Sequence, residues 1–419
     1  MKNRVVLHSD LNNFYAAVEC LYRPEIRAKP VAVCGEPELR HGIVLAKNQL
    51  ARRQGVETGQ VIHEAQAKCP ELVIVPPHQS AYERFSGWAR EIYEQYADNI
   101  ESYGLDESWL EITNLARDEY DGQAVADEIR AKMKETLGIT CSVGVSFNKV
   151  YAKLASDLRK PDCSTVISRQ KYKEIVWPMP PDKLLGVNTK IAMTLRAMGI
   201  TDIGNIAKAP VELLEGIFGK NGRTLHRYAS GEDNSPVSHK DYVEPPKSVG
   251  HTETTHRDME NAEDVRRVVY ALSEKVASRM RAQHFKCRTI QVSIRENDLK
   301  WRERQGTLEV PTFIANTIAE KALEIFGARH KFAKPLRSIG VRACNLVPDT
   351  VGIQGSFFDD PARDEKMERL AGTVDTLRAI YGYGIIRRGI ALEDEKLTYV
   401  PPDYDRSAYR VGSAFFKEA

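Results

Sequence analysis

Val5-Val6-Leu7-His8-Ser9-Asp10, running on into Leu11-Asn12-Asn13-Phe14-Tyr15, is the stretch on which the fold turns. Residues 5–9 read as a buried strand, and Phe14, Ala17, Val18 and Leu21 recur at helical spacing across residues 12–22. A strand therefore feeds a helix, with Asp10 at the strand's end. A second acidic group lies in Tyr103-Gly104-Leu105-Asp106-Glu107-Ser108-Trp109, where residues 100–103 and 108–112 read as the arms of a β-hairpin. A lone aspartate at a strand end is ordinarily a cap or a loop residue. Three carboxylates at the tips of neighbouring apolar strands are a hard-oxygen site suited to Mg²⁺, and such a site performs phosphoryl chemistry.

Working outward, residues 30–35 and 42–46 are two short strands, followed by helices near residues 48–54 and 62–69, a small α/β insertion ending at about His78. Tyr82, Phe85, Ala89, Ile92, Tyr93 and Tyr96 line one face of an amphipathic helix over residues 81–98. After the acidic hairpin come a helix over 124–137, ended by Gly138, and a strand over 140–146. This order suits an α+β, ferredoxin-like sheet with helices on one face. From Pro178 the chain changes to short helices punctuated by glycine, and the polar stretch 231–247, with Pro236, Pro245 and Pro246, reads as a linker. A second α/β unit follows: strands at 248–257, 289–295, 301–310 and 336–344, with helices at 264–284 and 314–326. A tail beyond Pro348 carries one helix, residues 366–381.

At 419 residues the chain exceeds one hydrophobic core, which predicts three or four domains. With 42% hydrophobic and 28% charged residues it has the composition of an ordinary globular protein. No window reaches the roughly 18 apolar residues of a membrane-spanning helix, and the N-terminus runs straight into a strand without a signal-peptide core, so a cytoplasmic protein is expected. The seven cysteines are scattered and never form a C-x-x-C pair, which argues against zinc and against a disulfide framework. A net charge of +2 hides an asymmetry: residues 275–342 hold fifteen Lys/Arg against six Asp/Glu, a footprint for a polyanion.

Residues 142–161, SVGVSFNKVYAKLASDLRKP, carry Lys149 and Lys153 four positions apart and Lys160 seven further on, which predicts one basic helix face close to the sheet. Taken alone such a stripe is either a solvated face or an anion site.

HSDLNNFYAAVE (8–19), GLDESW (104–109) and the lysine segment, in that order, resemble the palm signatures of Y-family translesion DNA polymerases, nearest the DinB branch with a UmuC-like flavour in LNNFY. The likeness extends over about residues 4–345. It implies a right-hand polymerase with the palm at 1–13 and 80–168, fingers at 14–79, a helical thumb at 169–236, a linker at 237–247, an α/β little finger at 248–348 and a C-terminal tail at 349–419. By the same resemblance Asp10, Asp106 and Glu107 are the catalytic and metal-binding carboxylates for two Mg²⁺ ions, with the Leu11 carbonyl as a backbone ligand. Tyr15 falls on the steric gate against a ribose 2′-hydroxyl, and Phe14, Tyr15, Gln49, Arg52 and Lys160 fall on the dNTP site. Asn12 stands where many relatives carry a third aspartate, and Gln49 where they carry a phosphate-binding tyrosine.

Residues 185–199 resemble a helix-hairpin-helix, whose turn offers backbone amides to a DNA phosphate. The turn here is Gly186-Val187-Asn188 in place of Gly-Val-Gly, with Asn188 expected to take the left-handed conformation. The basic unit corresponds to the little finger, with Arg288, Arg295, Lys300, Arg302, Arg304, Lys331, Lys334, Arg337 and Arg342 as candidate DNA contacts; few aromatics interleave them, which favours a duplex backbone over stacked single strands. Gln354, Phe357 and Phe358 look like a degenerate sliding-clamp peptide or, alternatively, an anchor folding back on its own domain. The expected activity is template-directed, low-fidelity translesion synthesis by a monomer on primer–template DNA. A nucleotidyl cyclase with a related palm and a catalytically inactive DNA-binding scaffold are the alternatives.

Overall fold

The computed structural model describes residues 4–35, 42–328, 334–351 and 361–398, with backbone alone at 361–364. These residues fall into two compact units that part between Tyr242 and Val243. Within the first, hydrophobic cores run across the bounds expected from the sequence: Phe14 and Val18 join the core of residues 80–168, and Phe147, Tyr151 and Leu154 join that of residues 169–236.

The first unit runs β1 (Val6–Leu11), α1 (Phe14–Tyr22), β2 (Val31–Cys34), β3 (Val44–Lys47), α2 (Gln49–Arg53), α3 (Ile62–Lys68), β4 (Val73–Val75), α4 (Gln79–Tyr93), β5 (Ile100–Ser102), β6 (Glu107–Glu111), α5 (Glu119–Leu137), β7 (Cys141–Ser146), α6 (Lys149–Leu158) and β8 (Ser164–Ile167). Five strands make the main sheet in the order β5-β6-β1-β7-β8. The apolar run of β1 is buried along its whole length because it is the central strand, flanked antiparallel by β6 and β7. Alternation along it sends Leu7 and Leu11 into a core with Tyr82, Phe85 and Ile92 of α4 and Ile129 and Met133 of α5. Val6, His8 and Asp10 face the other way. That face carries α6, so the expectation of helices on one face only is corrected. The reason is Gly144 of β7: a Cβ there would collide with the Ala152 carbonyl and the Ser156 amide, and only glycine lets the α6 backbone lie so close to the strand.

β3-β2-β4 form a small separate sheet. Helix α1 joins it to the main sheet, since Phe14 and Val18 enter the α4/α5 core while Ala16 and Cys20 pack on β2 and β4. Four short helices follow β8 and a connecting helix α7 (Tyr172–Val176): α8 (Thr189–Ala197), α9 (Ile203–Lys208), α10 (Val211–Phe218) and α11 (Lys220–Ala229). In the turn before α8, Gly186 takes the left-handed conformation at φ 88°, whereas Asn188 is extended at φ −88° and caps the helix by accepting from the Ile191 amide at 2.9 Å. Asn188 therefore acts through its side chain.

The stretch read as a linker begins later than its composition suggested. Val237 is buried against Val6, Trp109 and Ala152, His239 bridges Asn99, and Lys240 pairs with Asp98 at 2.8 Å. Ser238 donates from its amide and hydroxyl to Glu101, beside the edge strand β5. An unpaired sheet edge satisfies an extended polar segment as well as water does. Tyr242 and Val243 are exposed, at the point where the units part.

The second unit holds β9 (Ser248–Met259), α12 (Ala262–Ala282), β10 (Phe285–Glu296), β11 (Trp301–Thr312), α13 (Ala315–Gly327), β12 (Leu336–Pro348), α14 (Pro361–Tyr381) and α15 (Gly389–Leu392). Its antiparallel sheet, β11-β10-β12-β9, packs Ile290, Val292, Ile339 and Val341 against α12 and α13. The tail helix α14 is clasped to the rest of this unit by Arg281–Asp375 and Lys286–Glu368, both at 2.6 Å, and Arg378–Glu274 at 3.0 Å. All seven cysteines are free, with Cys20, Cys34, Cys69, Cys141 and Cys287 buried. Among the described residues no helix is long and apolar enough to cross a membrane.

Candidate active site

Asp10 and Glu107 are direct partners across the β1–β6 ladder, and the Leu11 amide donates to the Asp106 carbonyl at 2.9 Å. Asp10 and Glu107 therefore lie together on the α6 face at one corner of the sheet, with Asp106 and the Leu11 backbone beside them. Burial pushes the Asp10 carboxyl up to about 6 against the opposing pull of Lys160, and burial together with the neighbouring Glu107 raises Asp106. Glu107 differs. Burial pushes it upward too, but bonds from His8 and Lys153, with their charge, outweigh that and hold it at about 2.

Two lysines reach into this cluster. Lys160 Nζ lies 2.5 Å from Asp10 Oδ2 and 2.7 Å from Asp157, and Lys153 pairs with Glu107 Oε2 while lying over the Tyr103 ring. Lys149 turns away to Glu101 at 2.6 Å and the Trp109 ring. The three lysines thus do not share one helix face: α6 ends at Leu158, and Lys160 lies on the segment beyond it. Among the described residues no three metal-ligating side chains already stand in a metal-holding cluster; Lys160 and Lys153 hold Asp10 and Glu107 instead. The donor set itself, carboxylate and carbonyl oxygen without sulfur, fits a hard divalent cation. Asn12 is occupied elsewhere, its amide bonded to the hydroxyls of Thr140 and Ser142.

Beside the carboxylates, Tyr15 stacks on the buried Tyr82, with ring centroids 4.0 Å apart and 8° between planes. Tyr82 donates to the buried Glu19 at 2.6 Å, and His78 Nδ1 is 2.7 Å from the same oxygen. Phe14 is 3% exposed, in the core it shares with α4 and α5. Gln49 opens α2, and Arg52 follows on it with an exposed guanidinium.

Sequence reasoning missed His8, Ser156 and Tyr82. The signal for His8 was its place two residues before Asp10 on a strand, which puts both side chains on one face. In the second unit, Arg295 and Arg342 rise from the sheet face opposite α12 and α13, in a field of Thr252, Gln291, Ser293 and Gly340. Arg302, which pairs with Glu296 at 3.1 Å, and Arg304 lie on the edge strand with the opposite alternation. Arg288 is exposed at a bulge, Lys300 and Lys334 both pair with Asp298, and Arg337 is half-buried. Lys331, Gln354, Phe357 and Phe358 lie outside the described residues.

Residues 9–157 match the impB/mucB/samB family, and residues 246–357 match the C-terminal domain of that family. The DNA polymerase IV of Acetivibrio thermocellus is 47% identical over 397 residues, covering 95% of this chain and 100% of the relative. DNA polymerase IV 1 of Bacillus subtilis is 32% identical over 400 residues, 94% of this chain and 95% of the relative. Among solved structures, a Y-family DNA polymerase chimera, Dbh-Dpo4(243-245)-Dbh, superposes with a TM-score of 0.73 at 25% identity over 82% of this chain and 99% of that one.

Proposed function

This chain belongs to the impB/mucB/samB family of Y-family translesion DNA polymerases, and on that premise we propose that Asp10, Asp106 and Glu107 are the carboxylates around which it joins a deoxynucleotide to a primer. The chain is a DNA-directed DNA polymerase that binds primer–template DNA and dNTP, and the family generally uses divalent metal ions. The cyclase and inactive-scaffold readings give way to that membership.

The ladder pairing of Asp10 with Glu107 carries the assignment of the site, because it brings two carboxylates remote in sequence to one point. With the Leu11 carbonyl, the three side chains would hold two Mg²⁺ ions. Bound there, the ions lower the pKa of the primer 3′-hydroxyl and neutralise charge on the phosphate being transferred. Lys160, which neutralises Asp10 in the protein alone, turns to the triphosphate, a richer anion; Arg52 meets the same phosphates with a planar fork, and Gln49 donates a hydrogen bond beside it. The Tyr15 ring, backed by Tyr82, stands where a ribose 2′-hydroxyl would come, and Phe14 supports it from the core. Attack on the α-phosphate then releases pyrophosphate.

Gly186, Val187 and Asn188 present the α8 N-terminus to a DNA phosphate, and Arg288, Arg295, Lys300, Arg302, Arg337 and Arg342 supply backbone contacts from the basic unit. Gln354, Phe357 and Phe358 form a peptide for a sliding clamp. Phe357→Ala with Phe358→Ala abolishes clamp stimulation of primer extension and leaves clamp-free synthesis unchanged; equal stimulation of both proteins removes the clamp from the reading. For the site, Asp106→Ala lowers single-nucleotide incorporation by a factor on the order of a thousand with primer–template affinity retained. An Asp106→Ala protein that still incorporates at wild-type rate would overturn the carboxylate assignment.

A further inference from the structure

We propose that His8 is a positioning residue for the polymerase reaction: its imidazole, anchored by Ser156, holds one oxygen of Glu107 so that the other faces the metal site. This rests on the carboxylate reading above and adds a group outside the carboxylates themselves. His8 is fully buried on the central strand, two residues from Asp10, and its register partners are Trp109 on one side and Gly144 on the other. Its Nε2 lies 3.1 Å from Glu107 Oε2, and its Nδ1 lies 2.9 Å from Ser156 Oγ. The ring edge is fixed against Trp109 at 5.1 Å between centroids.

The donor assignment follows from the partners. An ionised carboxylate only accepts, so the Nε2 proton points at Glu107; Nδ1 lies against Ser156 Oγ, whose single proton is shared between that nitrogen and the Lys153 carbonyl. Ser156 Oγ is itself 2.7 Å from the Lys153 carbonyl, which ties the serine to the turn of α6 whose lysine also bonds Glu107 Oε2. Both donors, His8 and Lys153, fall on Oε2, and among the described residues nothing bonds Oε1. A carboxylate pinned by two donors on one oxygen has a fixed plane and presents the second oxygen in one direction. Lys153 sits on a flexible stem; the histidine, without rotational freedom in its slot, supplies the rigid half of the clamp. Gly144 completes the device by letting α6 come near enough for Ser156 to reach the ring.

The test compares wild type, His8→Phe, His8→Gln and Ser156→Ala. Phenylalanine keeps the flat ring against Trp109 without a donor, and glutamine keeps an N–H donor. Primer extension gives kcat and the KM for dNTP, and calorimetric Ca²⁺ titration of the protein–DNA–dNTP complex gives cation affinity without turnover. His8→Phe is expected to lose about tenfold or more in kcat and in Ca²⁺ affinity, with the KM for dNTP within about twofold and DNA binding unchanged. Ser156→Ala loses less in the same pattern, and His8→Gln regains most of the loss. Wild-type kcat and Ca²⁺ affinity in both His8→Phe and Ser156→Ala would overturn the inference while leaving the polymerase reading intact. So would failure of His8→Gln to exceed His8→Phe with both folded. If His8→Phe does not fold, Ser156→Ala decides alone. Absence of incorporation by wild type would instead count against the carboxylate reading.

Discussion

At the scale of the residue, the site is a contest between burial and charge. Asp10 and Asp106 are raised by burial, whereas Glu107, in the same corner, is held low because two donors converge on one of its oxygens. Tyr15 shows a similar dependence on what stands behind it. Stacked on a buried tyrosine that is itself tied to Glu19, its ring has little room to swing from an incoming sugar. A clash of that kind costs about 1–3 kcal/mol, or about five- to 150-fold in rate. Tyr15→Ala therefore raises ribonucleotide incorporation relative to deoxynucleotide by about that factor, read as the ratio of kcat/KM values. A variant that extends with deoxynucleotides and still rejects ribonucleotides would show that the ring is not the gate.

At the scale of the element, α6 and β7 are the pair on which the geometry depends. Gly144→Ala inserts a methyl group where backbone atoms of Ala152 and Ser156 already lie, which costs about 1–3 kcal/mol of overpacking. Urea unfolding should show the midpoint falling by the corresponding amount, and incorporation should fall as Lys153 and Ser156 lift from Glu107 and His8. An unchanged midpoint with unchanged activity would mean that the helix shifts freely. Much of this was legible beforehand. The strand and helix of residues 5–22 announced themselves by an apolar run and a helical period, and the little-finger strands and helices fell within a few residues of their observed bounds. What stayed hidden depended on contacts remote in the chain. The bond between His8 and Glu107 needs the strand register, the docking of residues 235–240 needs the free edge of β5, and Asn188 capped a helix where its residue type alone suggested a left-handed turn. Lys160 is a different case, since Pro161 beside it was already a signal that the helix had ended.

At the scale of the whole molecule, the second unit has one sheet face packed on helices and one face of small polar side chains carrying Arg295 and Arg342. In the proposed DNA-binding role such a face would meet phosphates without reading bases. Affinity for primer–template DNA should therefore fall steeply with salt, and Arg295→Ala and Arg342→Ala should each weaken binding similarly across sequences while reducing the log–log salt slope by about one. Sequence-dependent losses, or an unchanged slope, would take these arginines off the interface.

The direct pairing of Asp10 with Glu107 has an engineering consequence. The distance between those two carboxylates is set by a backbone ladder, and the ninety-odd residues separating them in the chain have no part in setting it. Helices α1 and α4 pack into the core beside the five-stranded sheet, but the three-stranded sheet between Tyr22 and His78 hangs from them as a cassette. Transplanting that cassette from a relative should change which nucleotides are welcomed while the chemistry that joins them stays in register.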